Sequence, residues 1–332
     1  MRPLPFRFIL PLGMLGATLW ITTAQPSITS LIRQNNGEIL LDSSATANAY
    51  YRIDTSMDLT AWTPFITIKS EGTNQLLDTA APGQERRYYR AVPLDGTNHI
   101  SGDHLKTGPG DAILHPIGHA SVLVSWNGKA VYSDPSDQNN NAPRFAGLPL
   151  ADVIVITHTH SDHFSTSRVT ALLKADTVIY APQAVYDLMP SAAPATLRSR
   201  TTILANGASA TAHGMSVQAI AMYNLPPNAI NHAKGAGNGY VINMGGQNLY
   251  FSGDTEDIPE MRALTNIDAA FVCMSRPSNM TVDAAASAVR QFRPRIVFPY
   301  HFTQSSTLFD TLRFKDLVGS GNGIEVRRRK FY

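Results

Sequence analysis

Residues 157–165 read THTHSDHFS, and this stretch decides how the chain is interpreted. It ends the apolar run ADVIVIT, which is typical of a buried strand, so its polar side chains emerge at the carboxyl end of that strand. Side chains two residues apart in extended backbone lie on one face, so His158 and His160 can bind one metal ion. The adjacent Asp162 and His163 point in different directions and can serve a second ion. The stretch therefore predicts a site for two metal ions.

Two later segments add ligands of the same kind. Asp254 in FSGDT and His301 in FPYHF each follow an apolar run that reads as a strand. A carboxylate can give one oxygen to each of two ions, which suits Asp254 to a bridging position. Two adjacent divalent ions lower the pKa of a shared water from about 16 toward about 7 and stabilise a hydrolytic transition state. We therefore expect hydrolysis by a metal-bridging hydroxide.

These motifs resemble those of the metallo-β-lactamase superfamily. HTHSDH matches its HxHxDH signature, and SDP, SGDT and PYH occur around it in the family's order. IGHASVLVSWNGKAVYSDP and NHAKGAGNGYVINMGGQNLYFSGDT resemble the branch of L-ascorbate-6-phosphate lactonase and N-acyl-phosphatidylethanolamine phospholipase D. The resemblance covers residues 112–332. It implies an α/β fold, a four-layer αββα sandwich with the metals in a cleft at one edge of the two sheets.

The resemblance also implies which side chains bind each ion. The first ion would be bound by His158, His160 and His232, the second by Asp162, His163 and His301, and Asp254 would bridge both. His213 is the alternative to His232 for the third histidine. The ions would be zinc, or else manganese or iron, because histidine and carboxylate ligands suit all three.

Further polar residues match family positions close to the cleft. Asp134 is expected to accept the second N–H of a ligand histidine. His119 is expected to contact the substrate or, alternatively, to be a hydrogen-bonded structural residue. Asp162, His119 and Tyr300 are the expected catalytic residues, with Tyr223 as a further proton donor for the leaving group.

The predicted function is that of an exported metal-dependent hydrolase that cleaves a lactone, an ester or a phosphodiester in a small or lipid-like substrate. Asp254 argues against a dedicated β-lactamase, since these enzymes lack that aspartate. One alternative is a surface- or polymer-binding protein in which the metal site is structural or secondary. Another is a phospholipid phosphodiesterase.

The first residues read as an export signal. Arg2 and Arg7 precede a mostly apolar stretch from Phe8 to Ile21. Ala24 is the last of the small residues that form a typical cleavage site. Together these features predict a signal peptide over residues 1–24. The stretch is shorter than the roughly 20 residues of a membrane span. We therefore expect a secreted or periplasmic protein with no integral span in its mature form. The single cysteine, Cys273, is expected to be a buried thiol.

The rest of the chain divides into segments that differ in their predicted secondary structure and composition. Residues 27–100 read as short strands and turns and resemble a fibronectin type III-like β-sandwich, a small all-β domain that could contact a surface or polysaccharide. Residues 101–111 read as a turn-rich linker. The net charge of +2 does not call for a nucleic-acid partner, and the basic run at residues 327–330 is expected to be a solvated tail. A helix is predicted to start at Thr281.

Overall fold

The computed structural model describes residues 25–82, 84–96, 98–191, 196–275, 277–302, 307–319, 322–329 and 331. The predicted signal peptide at residues 1–24 lies outside the described residues. The first strands are β1 Ser27–Arg33, β2 Ile39–Ser44, β3 Tyr50–Ser56, β4 Thr63–Lys69, β5 Thr73–Asp78 and β6 Tyr88–Leu94. The next are β7 Gly102–Thr107, β8 Gly110–Gly118, β9 Ser121–Trp126, β10 Lys129–Ser133, β11 Ala151–Val155, β12 Leu173–Ala181 and β13 Thr201–Ile203.

The remaining strands are β14 Ser209–Ala212, β15 Met215–Met222, β16 Gly237–Met244, β17 Gln247–Phe251, β18 Ala269–Cys273, β19 Ile296–Tyr300 and β20 Glu325–Val326. The α-helices are α1 Thr166–Ala171, α2 Gln183–Leu188, α3 Thr196–Ser199, α4 Pro259–Arg262, α5 Val282–Phe292 and α6 Thr307–Val318, with short 3-10 helices at Ala142–Phe145 and Asn228–Ile230. None of the helices in the described ranges has the length and apolar content needed to cross a membrane.

The first six strands enclose a small core of their own. β1, β2 and β5 form one sheet in the order β1-β2-β5, while β3 pairs with both β4 and β6. Leu41 and Leu76 from the first sheet pack with Tyr51, Ile53 and Phe65 from the second. Tyr51 and Ile53 are two residues apart in β3, so they lie on the same face, as the alternating sequence pattern predicts.

The expected linker at residues 101–111 is wrong. The segment is a β-hairpin of β7 and the start of β8, and only the Gly-Pro-Gly turn at its centre is irregular. β7 also pairs with β4 through Ile66 opposite Asp103 and Thr67 opposite Gly102. The sheet that contains β3, β4 and β6 therefore continues without a break into the strands that follow, in the order β13-β12-β11-β10-β9-β8-β7-β4-β3-β6.

A second large sheet, ordered β14-β15-β16-β17-β18-β19-β20, packs against the first. Val122 and Val124 of β9 share one core with Tyr240 and Ile242 of β16. Leu123, between the two valines, points to the other face and packs with residues of α1, α2 and α3 in a separate core. The alternation along β9 thus assigns one face to the opposing sheet and the other to helices.

Helix α5 begins where the sequence predicts. The Thr281 side chain accepts a hydrogen bond from the Ala284 N–H and so caps the helix. Ala285, Val289 and Phe292 are buried along one stripe. Cys273 in β18 is also buried as expected, and burial raises the pKa of its thiol to about 12.

The basic run near the end of the chain is not a solvated tail. Arg327 is buried and donates to Asp103 Oδ1 at 3.1 Å, and Arg329 donates to both oxygens of Asp103 at 2.6 and 2.7 Å. Arg327 also binds Glu325 at 2.8 Å. Asp103 lies fully buried in β7, where a carboxylate requires charged partners, and the run supplies them. Lys330 lies outside the described residues.

We expect Asp103→Ala to destabilise the protein by about 3–5 kcal/mol, because it leaves buried arginines without their carboxylate. Chemical denaturation measures the free energy of unfolding. The control is Asp283→Ala, whose exposed pair with Arg313 at 2.8 Å should contribute about 1 kcal/mol or less. Equal losses in the two variants would contradict this account of residues 327–329.

Candidate metal centre

Two adjacent groups of potential ligands lie at one edge of the sheets. Within each group, one ligand atom of every member lies within 4.8 Å of the others. One group consists of His158, His160, His232 and Asp254, and the other of His119, Asp162, His163 and His301. All seven side chains predicted as metal ligands are therefore brought together, and they fall into the two sets implied by the resemblance. His119 is an additional member.

Asp254 stands between the two groups. Its Oδ1 lies 3.3 Å from Nε2 of His163 and 3.3 Å from Nε2 of His301. Its Oδ2 lies 3.6 Å from Nε2 of His232, on the other side. Each carboxylate oxygen thus faces a different set of imidazoles, which is the arrangement required to bridge two ions.

The topology explains this convergence. β10 and β11 are parallel neighbours in one sheet, and β17, β18 and β19 are parallel neighbours in the other. Asp134 follows β10, the His158–His163 loop follows β11, Asp254 follows β17 and His301 follows β19. Because the carboxyl ends of parallel strands meet at the same edge, residues distant in sequence arrive at one place.

Gly253 has a specific role in this edge. Its φ is +58°, and a Cβ there would lie 2.6 Å from Sδ of Met222 and 3.0 Å from Cβ of Thr157. Only glycine fits such close contacts with a left-handed backbone. The glycine of the SGDT motif thus lets the chain turn so that Asp254 enters the centre.

Asp134 and Thr157 orient two of the histidines. Asp134 Oδ2 accepts from Nδ1 of His163 at 2.7 Å, which leaves Nε2 of His163 facing the centre and confirms the orienting role predicted for Asp134. The Thr157 hydroxyl also donates to Asp134 Oδ2 at 2.7 Å. Since its proton is used there, its oxygen accepts from Nδ1 of His158 at 3.0 Å and directs Nε2 of His158 inward.

Three residues at the centre have left-handed backbone that non-glycine residues rarely adopt. The φ angles of His119, Asp134 and His301 are 51°, 47° and 45°. Such conformations cost about 1–3 kcal/mol each and persist where neighbouring contacts enforce them. The contacts are backbone hydrogen bonds from His119 N–H to Phe331 at 2.7 Å, from Asp134 N–H to Val155 at 3.0 Å and from His301 N–H to His119 at 3.2 Å.

The donor set fits metal ions better than it fits hydrogen bonding. Nε2 of His163, Nε2 of His301 and Oδ1 of Asp254 are buried and lack a hydrogen-bond partner, although they converge. Buried polar atoms without a partner are costly and are uncommon in folded proteins. Burial opposes ionisation of Asp254, yet His301 and His163 hold its pKa well below the usual value, so the carboxylate is charged. These residues can therefore hold divalent cations.

His119 lies closer to this donor set than the sequence indicates. Its Nε2 is 2.9 Å from Asp162 Oδ2, and its ring centroid is 3.9 Å from that of His301. Burial, with the charges of His301 and His163 acting in the same direction, lowers the pKa of His119 to about 4 despite the hydrogen bond to Asp162. His119 therefore contacts the second group as a neutral imidazole.

Tyr300 is held by packing and hydrogen-bond contacts beside the centre, and the catalytic role expected for it stays a prediction. The side chain is fully buried, and its hydroxyl accepts from the Gly253 N–H at 2.9 Å. Its ring packs edge-on against Phe271 and Phe331, and burial raises the pKa of its hydroxyl well above the usual value. β19 ends at Tyr300, and His301 follows it with a left-handed backbone, so the two neighbouring side chains make different contacts.

The two other candidates from the sequence, His213 and Tyr223, make different contacts. His213 lies elsewhere, beside Asp152 and Asp176, so the third histidine of the first group is His232. Tyr223 donates to Glu260 at 3.0 Å. Sequence reasoning missed Asn279, whose buried amide lies 3.5 Å from Nδ1 of His301. No motif marks it, because it lies in a loop between β18 and α5.

Comparison with known proteins agrees with the fold. Residues 114–301 match the family model of the β-lactamase superfamily domain. Because this match spans more than half of the chain, the protein belongs to that superfamily. A curated relative from Anaeromyxobacter sp. (strain K), named UPF0173 metal-dependent hydrolase, is 30% identical over 198 residues, which are 56% of this chain and 72% of the relative.

Solved structures show the same relationship. A proposed metal-dependent hydrolase from Parabacteroides distasonis is 33% identical, with a TM-score of 0.61, and the match covers 70% of this chain and all of that one. Igni18, a metallo hydrolase from Ignicoccus hospitalis, shares the fold at 20% identity with a TM-score of 0.52, over 65% of this chain and 94% of that one. The prediction of a metal-dependent hydrolase is confirmed at this level of description.

We expect Asp134→Asn to lower metal affinity about 10- to 100-fold, because His163 loses the carboxylate that orients it and increases its basicity. Metal content after dialysis against graded chelator measures the effect. Asp54→Asn is the matched control, a buried carboxylate held by Arg52 and Arg90 outside every group of potential ligands among the described residues. Unchanged metal affinity in Asp134→Asn would refute the orienting role.

Proposed function

We propose that this protein hydrolyses a lactone, an ester or a phosphodiester with two divalent metal ions, zinc in the first instance. The observation that carries the proposal is the position of Asp254, whose two oxygens face different ligand groups. A single structural ion would not require eight converging side chains divided by a shared carboxylate. The bound ions would supply an activated water at neutral pH and polarise the oxygen that gains charge.

The chain's own residues would orient the reaction. Asp162 accepts a hydrogen bond from Nε2 of His119 at 2.9 Å and lies 3.5 Å from Nε2 of His301, so its position is fixed from two sides. Asp162 and His119 are the residues that we expect to contact both the ions and the substrate. Tyr300 is not part of this proposal.

His160 and Asp162 have the most exposed side chains of the two ligand groups. His160 is exposed and the Asp162 side chain is 30% exposed, whereas His158, His163 and Asp254 are buried. The substrate would therefore approach past His160 and Asp162. The buried ligands behind them restrict access of water from the other directions and strengthen the electrostatic interactions at the centre.

A phospholipid phosphodiester is the second candidate substrate. Ile230, two residues before His232, is 91% exposed, and Leu225 on the same loop is also exposed. Apolar side chains that project beside the opening of a metal site suit a substrate with an acyl chain. Turnover of phospholipid vesicles would support this candidate, and turnover of small aryl esters alone would argue against it.

The helix–sheet–sheet–helix layering, the fibronectin type III-like character of the first strands and a role in surface or polysaccharide binding belong to the proposal as well. The distribution of β9 side chains between two cores supports the layering. Removing the first six strands is not a clean test of their role, because it would expose the edge of β7 that pairs with β4.

We also propose that the protein is exported. The motive is the basic and apolar stretch that ends at Ala24. The protein recovered from the periplasm or the medium should then begin at Gln25, as N-terminal sequencing would reveal. Recovery in the cytoplasm with an intact first residue would contradict export.

The metal-dependent reaction is tested with His160→Ala. We expect this variant to lose one bound ion and to lose turnover by about 100-fold or more, because one ligand group then keeps too few imidazoles to retain its ion. Bound metal is measured by elemental analysis, and turnover on lactones, 4-nitrophenyl esters and bis(4-nitrophenyl) phosphate. His99→Ala, outside every group of potential ligands among the described residues, should keep metal and activity. Wild-type activity in His160→Ala would rule the centre out.

A further inference from the structure

A cavity of about 930 Å³ lies between the first strands and the C-terminal part of the chain. One wall comes from β2, β4 and β5, with Leu40 and Ile68 among its apolar residues. The opposite wall contains Phe302, Phe331 and Arg328. The cavity is thus formed jointly by both parts of the protein, and it is separate from the two ligand groups.

Among the described residues, the charged side chains of this lining that are not exposed to solvent are paired, with one exception. Arg329 is paired with Asp103, and Lys315 forms a close contact with Glu38. Of the ion pairs formed among described residues, none includes Arg328, and its Nε is buried without a hydrogen-bond partner. A guanidinium that is partly removed from water with no counter-charge is costly, and an anion beside it would offset that cost.

The nearby acids do not neutralise Arg328. Glu38 lines the cavity, but its two oxygens contact Lys315 and Asn36. Glu71 in the lining is exposed, and Asp316 is exposed and acts on Arg328 only at longer range. Burial, followed by the like charge of Arg329, lowers the pKa of Arg328, which agrees with an arginine that lacks a counter-charge.

The walls of the cavity touch the metal centre through the backbone. Phe302 directly follows His301, and the Phe331 carbonyl accepts from the His119 N–H at 2.7 Å. The two rings lie 6.4 Å apart between centroids and form the apolar back of the cavity. A molecule in the cavity would therefore lie one residue layer behind His301 and His119.

We propose that this cavity binds an amphipathic anion, with a carboxylate or phosphate head at Arg328 and an alkyl or aryl body against Phe302, Phe331, Leu40 and Ile68. Arginine suits both anions because its guanidinium donates two parallel hydrogen bonds. The apolar lining suits a body of about eight or more carbons, because each methylene removed from water favours binding. The occupant is either a remote part of the substrate or a separate effector.

Titration calorimetry with dodecanoate and dodecyl phosphate, both below their micelle concentrations, tests the proposal. Binding is measured to the metal-loaded protein and to His160→Ala stripped of its remaining metal with a chelator, which removes the metal centre as an anion site. We expect similar affinity in both. Arg328→Gln should weaken binding about 10- to 100-fold, since a hydrogen bond to a charged group is worth about 1.5–3 kcal/mol.

Two controls make the outcome decisive. Arg313→Gln removes an arginine on α6 that is paired with Asp283 on the surface, and it should bind like the wild type. Leu40→Trp fills the cavity and should reduce binding of both ligands and of uncharged dodecanol, with the melting temperature recorded to verify folding. Equal affinity of Arg328→Gln and Arg313→Gln, or binding that disappears in His160→Ala, would overturn the proposal.

This test is separable from the test of hydrolysis. Absence of binding leaves the metal-dependent reaction intact, and loss of turnover in His160→Ala leaves the cavity intact. Once a substrate is known, competitive inhibition by dodecanoate would identify the cavity as part of the substrate site. A change in turnover without competition would identify a separate effector site.

Discussion

The structure depends on a set of buried ligand atoms that point toward one another. Nε2 of His163, Nε2 of His301 and Oδ1 of Asp254 converge without hydrogen bonds, and only positive charge between them makes this arrangement favourable. The surroundings are organised to hold it. Asp134 fixes the orientation of His163, Gly253 permits the turn before Asp254, and left-handed residues at the strand ends are restrained by backbone hydrogen bonds. In this metal-dependent hydrolase of the β-lactamase superfamily, the fold as a whole stabilises a cluster of buried ligand atoms that is unfavourable by itself.

The two large sheets supply the ligands, and the C-terminal segment ties them to the first strands. Arg327 and Arg329 bind Asp103 in β7, while Phe331 accepts from the His119 N–H. β7 in turn pairs with β4 of the first strands. The same short segment therefore contacts the metal centre, the central sheet and the cavity lined by Arg328, so the first strands are an integral part of the protein and not a detachable addition.

The ligand set could be predicted from sequence because most of its members lie in short motifs that directly follow strands. His119 was harder, since its approach to Asp162 depends on a left-handed backbone and a contact with Phe331. Tyr300 and His301 are neighbours in sequence, but β19 ends between them and their side chains make different contacts. The Gly-Pro-Gly turn was real, but the pairing that makes residues 101–111 a hairpin involves β4, and the partner of the basic run is Asp103 in a distant strand. Local patterns do not show such partners.

The hydrogen bond between Phe331 and His119 has a consequence for biosynthesis. The loop that contains His119 cannot reach its final conformation until residue 331 has left the ribosome. The strands that carry the ligands are synthesised before the hydrogen bond between His119 and Phe331 can form. A cation that binds before residue 331 is in place would therefore meet a loop that lacks the hydrogen bond holding His119.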